Sequence, residues 1–205
     1  MSPTRGKPAP RPRGRRTSEA SGRGALRVVA GSRRGLRLDS PPGSTTRPTS
    51  DRVRQATFNA LESLDAVAEA VVLDAFAGSG ALGIEALSRG AAQVTFADTD
   101  PRARATIEAN LAATDFATQG RIIATDGARS VSAGGPWNLV LLDPPYEHEA
   151  WPALLDAVAA HLAEDGVVVI ESDREISLPA GLDAIRVKGY GGTVVTIASP
   201  RRSTS

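Results

Sequence analysis

Residues 139–147 read LVLLDPPYE. Four apolar residues run straight into a carboxylate, two prolines and an aromatic ring. An ordinary strand-to-helix turn draws on Gly, Asn or Ser. Here two prolines fix φ and stiffen the turn. Asp143 and the Pro144 carbonyl offer two acceptors, and Tyr146 offers a flat face. That set suits the methylation of an exocyclic base amine, whose lone pair is delocalised into the ring and makes it a poor nucleophile. Two fixed acceptors hold the N–H bonds while the lone pair turns toward an electrophile, so positioning supplies the gain. A base in a folded nucleic acid must first leave its stack, at a cost on the order of a few kcal/mol, and a ring face returns part of it. Such chemistry requires neither a metal nor a covalent nucleophile. A lone DPP is often only a rigid turn. DPPY directly after a buried strand makes Asp143, Pro144, Pro145 and Tyr146 candidate catalytic residues.

A second constellation lies upstream, in DAFAGSGALG at 74–83. Gly78, Gly80 and Gly83 satisfy G-x-G-x-x-G, and Asp98 stands 20 residues after Gly78. Alone this admits NAD, FAD or any ligand with a ribose. Asp74 narrows the choice, because a pyrophosphate needs N–H groups and positive potential at that strand mouth. S-adenosylmethionine has no phosphate and carries an ammonium and a sulfonium, both compatible with a carboxylate. The candidate cofactor residues are Asp74, Phe76, Gly78, Ser79, Gly80, Asp98, Thr99, Asp126 and Gly127. Asp98 can accept from ribose hydroxyls. Asp126 either accepts from an adenine amino group or is a turn aspartate.

These residues must be positioned by a sheet. Buried strands are expected at 71–76, 93–98, 121–126, 138–143 and 167–172, with helices at 79–90, 101–114 and 148–163 and a closing hairpin at 182–199. The alternation of strand and helix predicts a doubly wound, mostly parallel α/β sheet. Asp74, Asp98, Asp126 and Asp143 all fall at strand ends, where ligands bind in open α/β sheets. His148 and His161 share the predicted helix 13 residues apart, a poor metal or triad spacing, so both are expected to be helix-face residues. Trp137 and Trp151 are expected to pack.

Upstream of the sheet, LRVVAG and LRLDS flank SRRG, which predicts a basic-tipped β-hairpin. A helix follows, capped by Thr49 or Ser50, with Asp51 in its first turn and Val53, Ala56, Thr57, Ala60, Leu61 and Leu64 at helical spacing. Residues 1–22 are rich in Pro, Gly, Ser and Arg and are expected to be disordered. An organelle transit peptide and a misplaced start are other readings of that segment. The division expected is a basic tail at 1–24, a hairpin-and-helix extension at 25–66 and a catalytic domain at 67–200. The net charge of +1 conceals a split: residues 1–54 hold 14 Lys and Arg against 3 Asp and Glu, the remainder 10 against 20. A basic arm on an acidic body suggests a polyanionic partner. There is no cysteine, which excludes a disulfide framework and cysteine-ligated metal. No apolar run reaches the roughly 18 residues that span a bilayer, so a cytoplasmic chain with neither membrane nor metal partner is expected.

Four stretches, RVVAGSRRGLRL (27–38), TRPTSDRVRQATFNAL (46–61), LDAFAGSGALGIEALSRGA (73–91) and LVLLDPPY (139–146), resemble the bacterial 16S rRNA (guanine(966)-N(2))-methyltransferase family, with VKGYGGT (187–193) a weaker echo. The resemblance implies a Rossmann-like class I S-adenosylmethionine-dependent methyltransferase sheet with a small N-terminal extension. It places Asp74, Gly78 and Gly80 at the methyl donor, and Asp143, Pro144 and Tyr146 at the target base. The ribose contact falls on Asp98, where the family commonly shows Glu. Arg47, Thr49, Asp51, Arg52 and Arg54 match the block associated with RNA and active-site support. With Arg33 and Arg34 on the hairpin, Arg47, Thr49, Arg52 and Arg54 are the candidate RNA contacts. The partner implied is 16S rRNA in the small subunit or its assembly intermediate, and the chain is expected to be a monomer. The alternatives are an adenine-N6 or cytosine-N4 DNA methyltransferase, a non-catalytic assembly factor and a NAD-dependent dehydrogenase. DNA enzymes usually carry an added target-recognition region, for which this chain has little room, and a dehydrogenase leaves DPPY unread.

Overall fold

A computed structural model of the chain describes residues 26–43, 50–145 and 147–201. The expected tail, Arg47, Thr49 and Tyr146 lie outside the described residues. A seven-stranded sheet runs in the order β3-β2-β1-β4-β5-β7-β6. Its strands are β1 (Val71–Asp74), β2 (Gln93–Ala97), β3 (Gly120–Ile123), β4 (Trp137–Leu142), β5 (Leu162–Ser172), β6 (Leu182–Gly189) and β7 (Val194–Pro200). β1 to β5 are parallel, and β7 enters antiparallel between β5 and β6. The strand order reverses at β1, whose neighbours are β2 and β4, which makes that edge the topological switch point.

Side chains alternate across each strand, so one strand feeds two cores. Val72, Leu139, Leu141, Val167 and Val169 face α1 (Asp51–Glu62), α2 (Ala81–Ser88) and α3 (Pro101–Ala113). Leu73, Val140, Leu142, Val168 and Ile170 face α4 (Gly127–Ser132) and α5 (Trp151–His161). Strands buried on both faces explain the continuous apolar runs of the sequence. Ser50, not Thr49, caps α1 by accepting from the Val53 N–H. Asp100 caps α3, with Pro101 in its first position.

Three boundaries differ from expectation by three residues or more. The third strand ends at Ile123, because Asp126 turns out to cap the unforeseen α4 by accepting from the Arg129 N–H. A six-residue helix shows too few turns to leave a periodic signature. Helix α5 begins at Trp151, three residues late, since a proline such as Pro152 belongs in the first turn. β5 begins at Leu162, where the chain pairs with Trp137 before an irregular step to Val167.

The N-terminal hairpin is present as one antiparallel bridge between Arg27 and Arg37. It is also seated on α2. The Val29 and Ala30 N–H groups donate to the Glu85 carboxylate, and the Ser32 and Arg33 N–H groups donate to Ser88. Gly31 has φ +82°, and a Cβ there would fall 1.9 Å from the Ser88 carbonyl oxygen. Only glycine allows that approach.

Candidate active site

Asp74 ends β1 and is buried. Its Oδ2 accepts from the Gly83 N–H at 2.9 Å, which fixes the first turn of α2 to the strand. Its Oδ1 is buried without a hydrogen-bond partner among the described residues. Burial, and then the nearby Asp143 and Asp98 charges, push its pKa up to about 7, with the Gly83 N–H pulling the other way. Asp98 stands just beyond β2, its Oδ2 accepting from the Gly78 N–H and its Oδ1 from the Asp100 N–H. Each oxygen keeps a second lone pair for a ligand hydroxyl. Thr99 is exposed, and its carbonyl accepts from Arg104.

The glycine-rich loop joins β1 to α2. Gly80, at φ +78°, is the residue from which α2 starts. The Ser79 carbonyl is held by the Asn110 side chain at 2.8 Å, and the same amide donates to the Asp39 carbonyl. Asn110 thus ties the N-terminal extension to the loop. The Phe76 ring lies over Gly127, where a Cβ would fall 2.1 Å from it. Asp126 is exposed and engaged as the α4 cap, so its turn role is realised, with Oδ2 only 3.6 Å from the Arg129 guanidinium.

Asp143 follows β4 directly. The pairing of Asp74 with Leu141 puts Asp143 two residues further along the neighbouring strand. Asp143 is half-buried, Pro144 buried and Pro145 exposed, and the Pro145 carbonyl accepts from the His148 N–H at 2.9 Å. The sheet therefore brings Asp74, Asp98 and Asp143 close enough to repel. Such a cluster attracts a cation and opposes a pyrophosphate. The orphaned Asp74 Oδ1 is what a ligand ammonium or sulfonium would satisfy, so the residues fit S-adenosylmethionine. Among the described residues no group of three His, Asp or Glu could hold a metal ion, and no helix is long and apolar enough to cross a membrane.

The candidate RNA contacts separate. Arg34 and Arg52 are exposed. Arg33 is bound to the Thr114 carbonyl and Asp115 and lies 5.5 Å from the Phe116 ring, so it clamps the hairpin to the end of α3. Arg54 corrects the sequence reading: its side chain is fully buried, donating to the Arg27 carbonyl and Asp51 and lying 3.6 Å from Glu85. It is closed to a phosphate and instead fastens α1 and the hairpin to α2. His148 is a second correction. It precedes α5, with its ring edge-on to Phe76 and Trp151. Trp137 and Trp151 do pack in the core. Glu85 and Asn110 were missed, yet each carried a signal. Each is a polar residue at a buried position of its helix, and such a group needs partners.

The comparisons agree with this geometry. The family described as Conserved hypothetical protein 95 matches residues 26–199. Ribosomal RNA small subunit methyltransferase D of Escherichia coli K12 is 36% identical over 162 residues, covering 78% of this chain and 80% of that protein. YlbH of Bacillus subtilis is 37% identical over 185 residues, covering 86% of this chain and all of YlbH. The solved structure of yhhF from Escherichia coli has a TM-score of 0.77 at 33% identity, covering 88% of this chain and all of that one. The fold is that of class I methyltransferases, and the chain belongs to the family described as Conserved hypothetical protein 95, together with ribosomal RNA small subunit methyltransferase D.

Proposed function

We propose that this chain transfers a methyl group from S-adenosylmethionine to the exocyclic N2 amine of a guanine in 16S rRNA, within the small subunit or its assembly intermediate. One observation carries the reading: a buried carboxylate, Asp74, ends β1 at the switch point, and a second, Asp143, directly follows the neighbouring β4 near enough to raise the Asp74 pKa. When bound, S-adenosylmethionine supplies an electrophilic methyl group on a sulfonium. The Asp74 Oδ1 and the Asp98 oxygens would hold its charged and hydroxyl ends, and the Phe76–Gly127 contact shapes the wall beside them. Asp143 and the Pro144 carbonyl would accept hydrogen bonds from the amine N–H groups and keep the base in line, and Tyr146 would stack on its face. The RNA class rests on the name of the E. coli relative, and N2 of guanine on the sequence resemblance.

The test is incubation with labelled S-adenosylmethionine and small subunits lacking the modification, with protein-free rRNA and duplex DNA in parallel. Mass spectrometry then maps the methyl group. N2-methylguanine in subunit rRNA is expected, and Asp143→Ala should lower the rate about a hundredfold or more, as loss of one preorganised polar partner does. Label confined to DNA, or none anywhere, would overturn the reading.

A further inference from the structure

Phe76 belongs to the glycine-rich loop, and His148 follows the DPPY turn. Their rings meet edge to face, with centroids 5.5 Å apart at 67°. On its other side Phe76 covers Gly127, at the start of α4. The His148 ring also meets Trp151, with centroids 5.2 Å apart at 90°. Trp151, the first residue of α5, is buried in the core and cannot yield easily. The His148 N–H donates to the Pro145 carbonyl at 2.9 Å, closing the turn that follows Asp143 and Pro144. One residue therefore touches the loop of the donor half through its ring and the loop of the base half through its backbone. Burial holds the imidazole pKa below its ordinary value, so the ring is neutral and compatible with two aromatic neighbours.

We propose that His148 is a positioning residue that couples the donor pocket to the base-holding turn. The inference rests on the function proposed above. A ligand that settles Phe76 against Gly127 also settles His148, and through its backbone hydrogen bond the Pro145–His148 segment. The coupling is reciprocal, so a base held by the turn tightens donor binding by the same factor. The imidazole works here through its shape, its Nε2 being buried without a hydrogen-bond partner among the described residues.

The test uses the full chain with S-adenosylhomocysteine as the probe. Calorimetry gives its affinity, and amide hydrogen exchange follows residues 146–150 with and without it. In the native chain the probe should slow exchange there by about fivefold or more, the lower range of measured site couplings. His148→Phe should keep that protection. His148→Ala should bind the probe within about threefold of native and lose the protection. In a Phe76→Leu background, His148→Ala should add nothing, as expected for two residues acting through one contact. Full protection in His148→Ala would overturn the proposal, and so would loss of protection in His148→Phe, which would assign the role to a ring nitrogen. Failure of the native chain to bind the probe would remove the donor reading itself, and calorimetry reports that separately from the exchange.

Discussion

Asp74 is the residue where burial and function conflict. Its pKa of about 7 in the folded chain, against an ordinary value of 3.8, means that between these values the folded state holds a proton that the unfolded state has released. The stability from this group is therefore full below pH 3.8 and is lost as pH rises through about 7. Asp74→Asn keeps an acceptor for the Gly83 N–H and never acquires the charge. Without donor, its Tm should exceed the native one by an amount that grows from pH 4 to 7 and then levels. A tenfold difference in proton affinity between the folded and unfolded states is worth about 1.4 kcal/mol, which corresponds to several degrees for a domain of this size. A bound cation reverses the balance, so native affinity for S-adenosylmethionine should rise toward pH 8 while the Asn variant binds weakly with a flat profile. Melts at spaced pH values and calorimetry decide this, and a Tm difference independent of pH would sink it.

At the level of elements, α1 has two kinds of arginine. Arg52 is exposed and Arg54 is enclosed by the hairpin, Asp51 and Glu85. Arg54→Met should cost about 3–5 kcal/mol by breaking a buried charge arrangement, read as a lower denaturation midpoint. It should leave the salt dependence of RNA affinity unchanged. Arg52→Ala should do the reverse, flattening the slope by about 0.7–0.9 for one lost phosphate contact with no change in midpoint. Equal effects on both measurements would show that burial does not separate the two roles. The sequence could not make this distinction, because an arginine at a buried helical position reads like any other until its carboxylate partners are known, and Glu85 stands some thirty residues away. The parallel strands, the placing of Asp74, Asp98 and Asp143 at or just beyond their strand ends, and the glycine-rich turn were legible, since local pattern and connection rules fix them, whereas Asp126 lies past the end of β3. The seating of the hairpin on α2, the α4 cap and the placement of His148 against Phe76 were not, because each depends on contacts between distant segments.

Across the whole molecule the charge is divided by region. Residues 1–54 carry 14 Lys and Arg against 3 Asp and Glu, and the sheet and its helices carry the excess of acid. The site end adds Asp74, Asp98 and Asp143, which attract a cationic donor and repel a phosphate backbone. A polyanionic substrate must then be held from the N-terminal side, and the acidic body restricts the orientations in which it can approach. Residues 1–22 hold 6 Lys and Arg against 1 Glu and precede the family match at residue 26. If that arm neutralises phosphates, its deletion should flatten the plot of log affinity against log salt by about 0.7–0.9 for each phosphate it engages. Affinity should fall most at low salt, while the methylation rate at saturating RNA stays near native, because the turn proposed to hold the base belongs to the sheet and not to the arm. Fluorescence anisotropy on an rRNA fragment across a salt series reads the slope, and single-turnover methylation reads the rate. An unchanged slope would leave the arm a solvated tail and put the burden of RNA binding on the exposed Arg34 and Arg52.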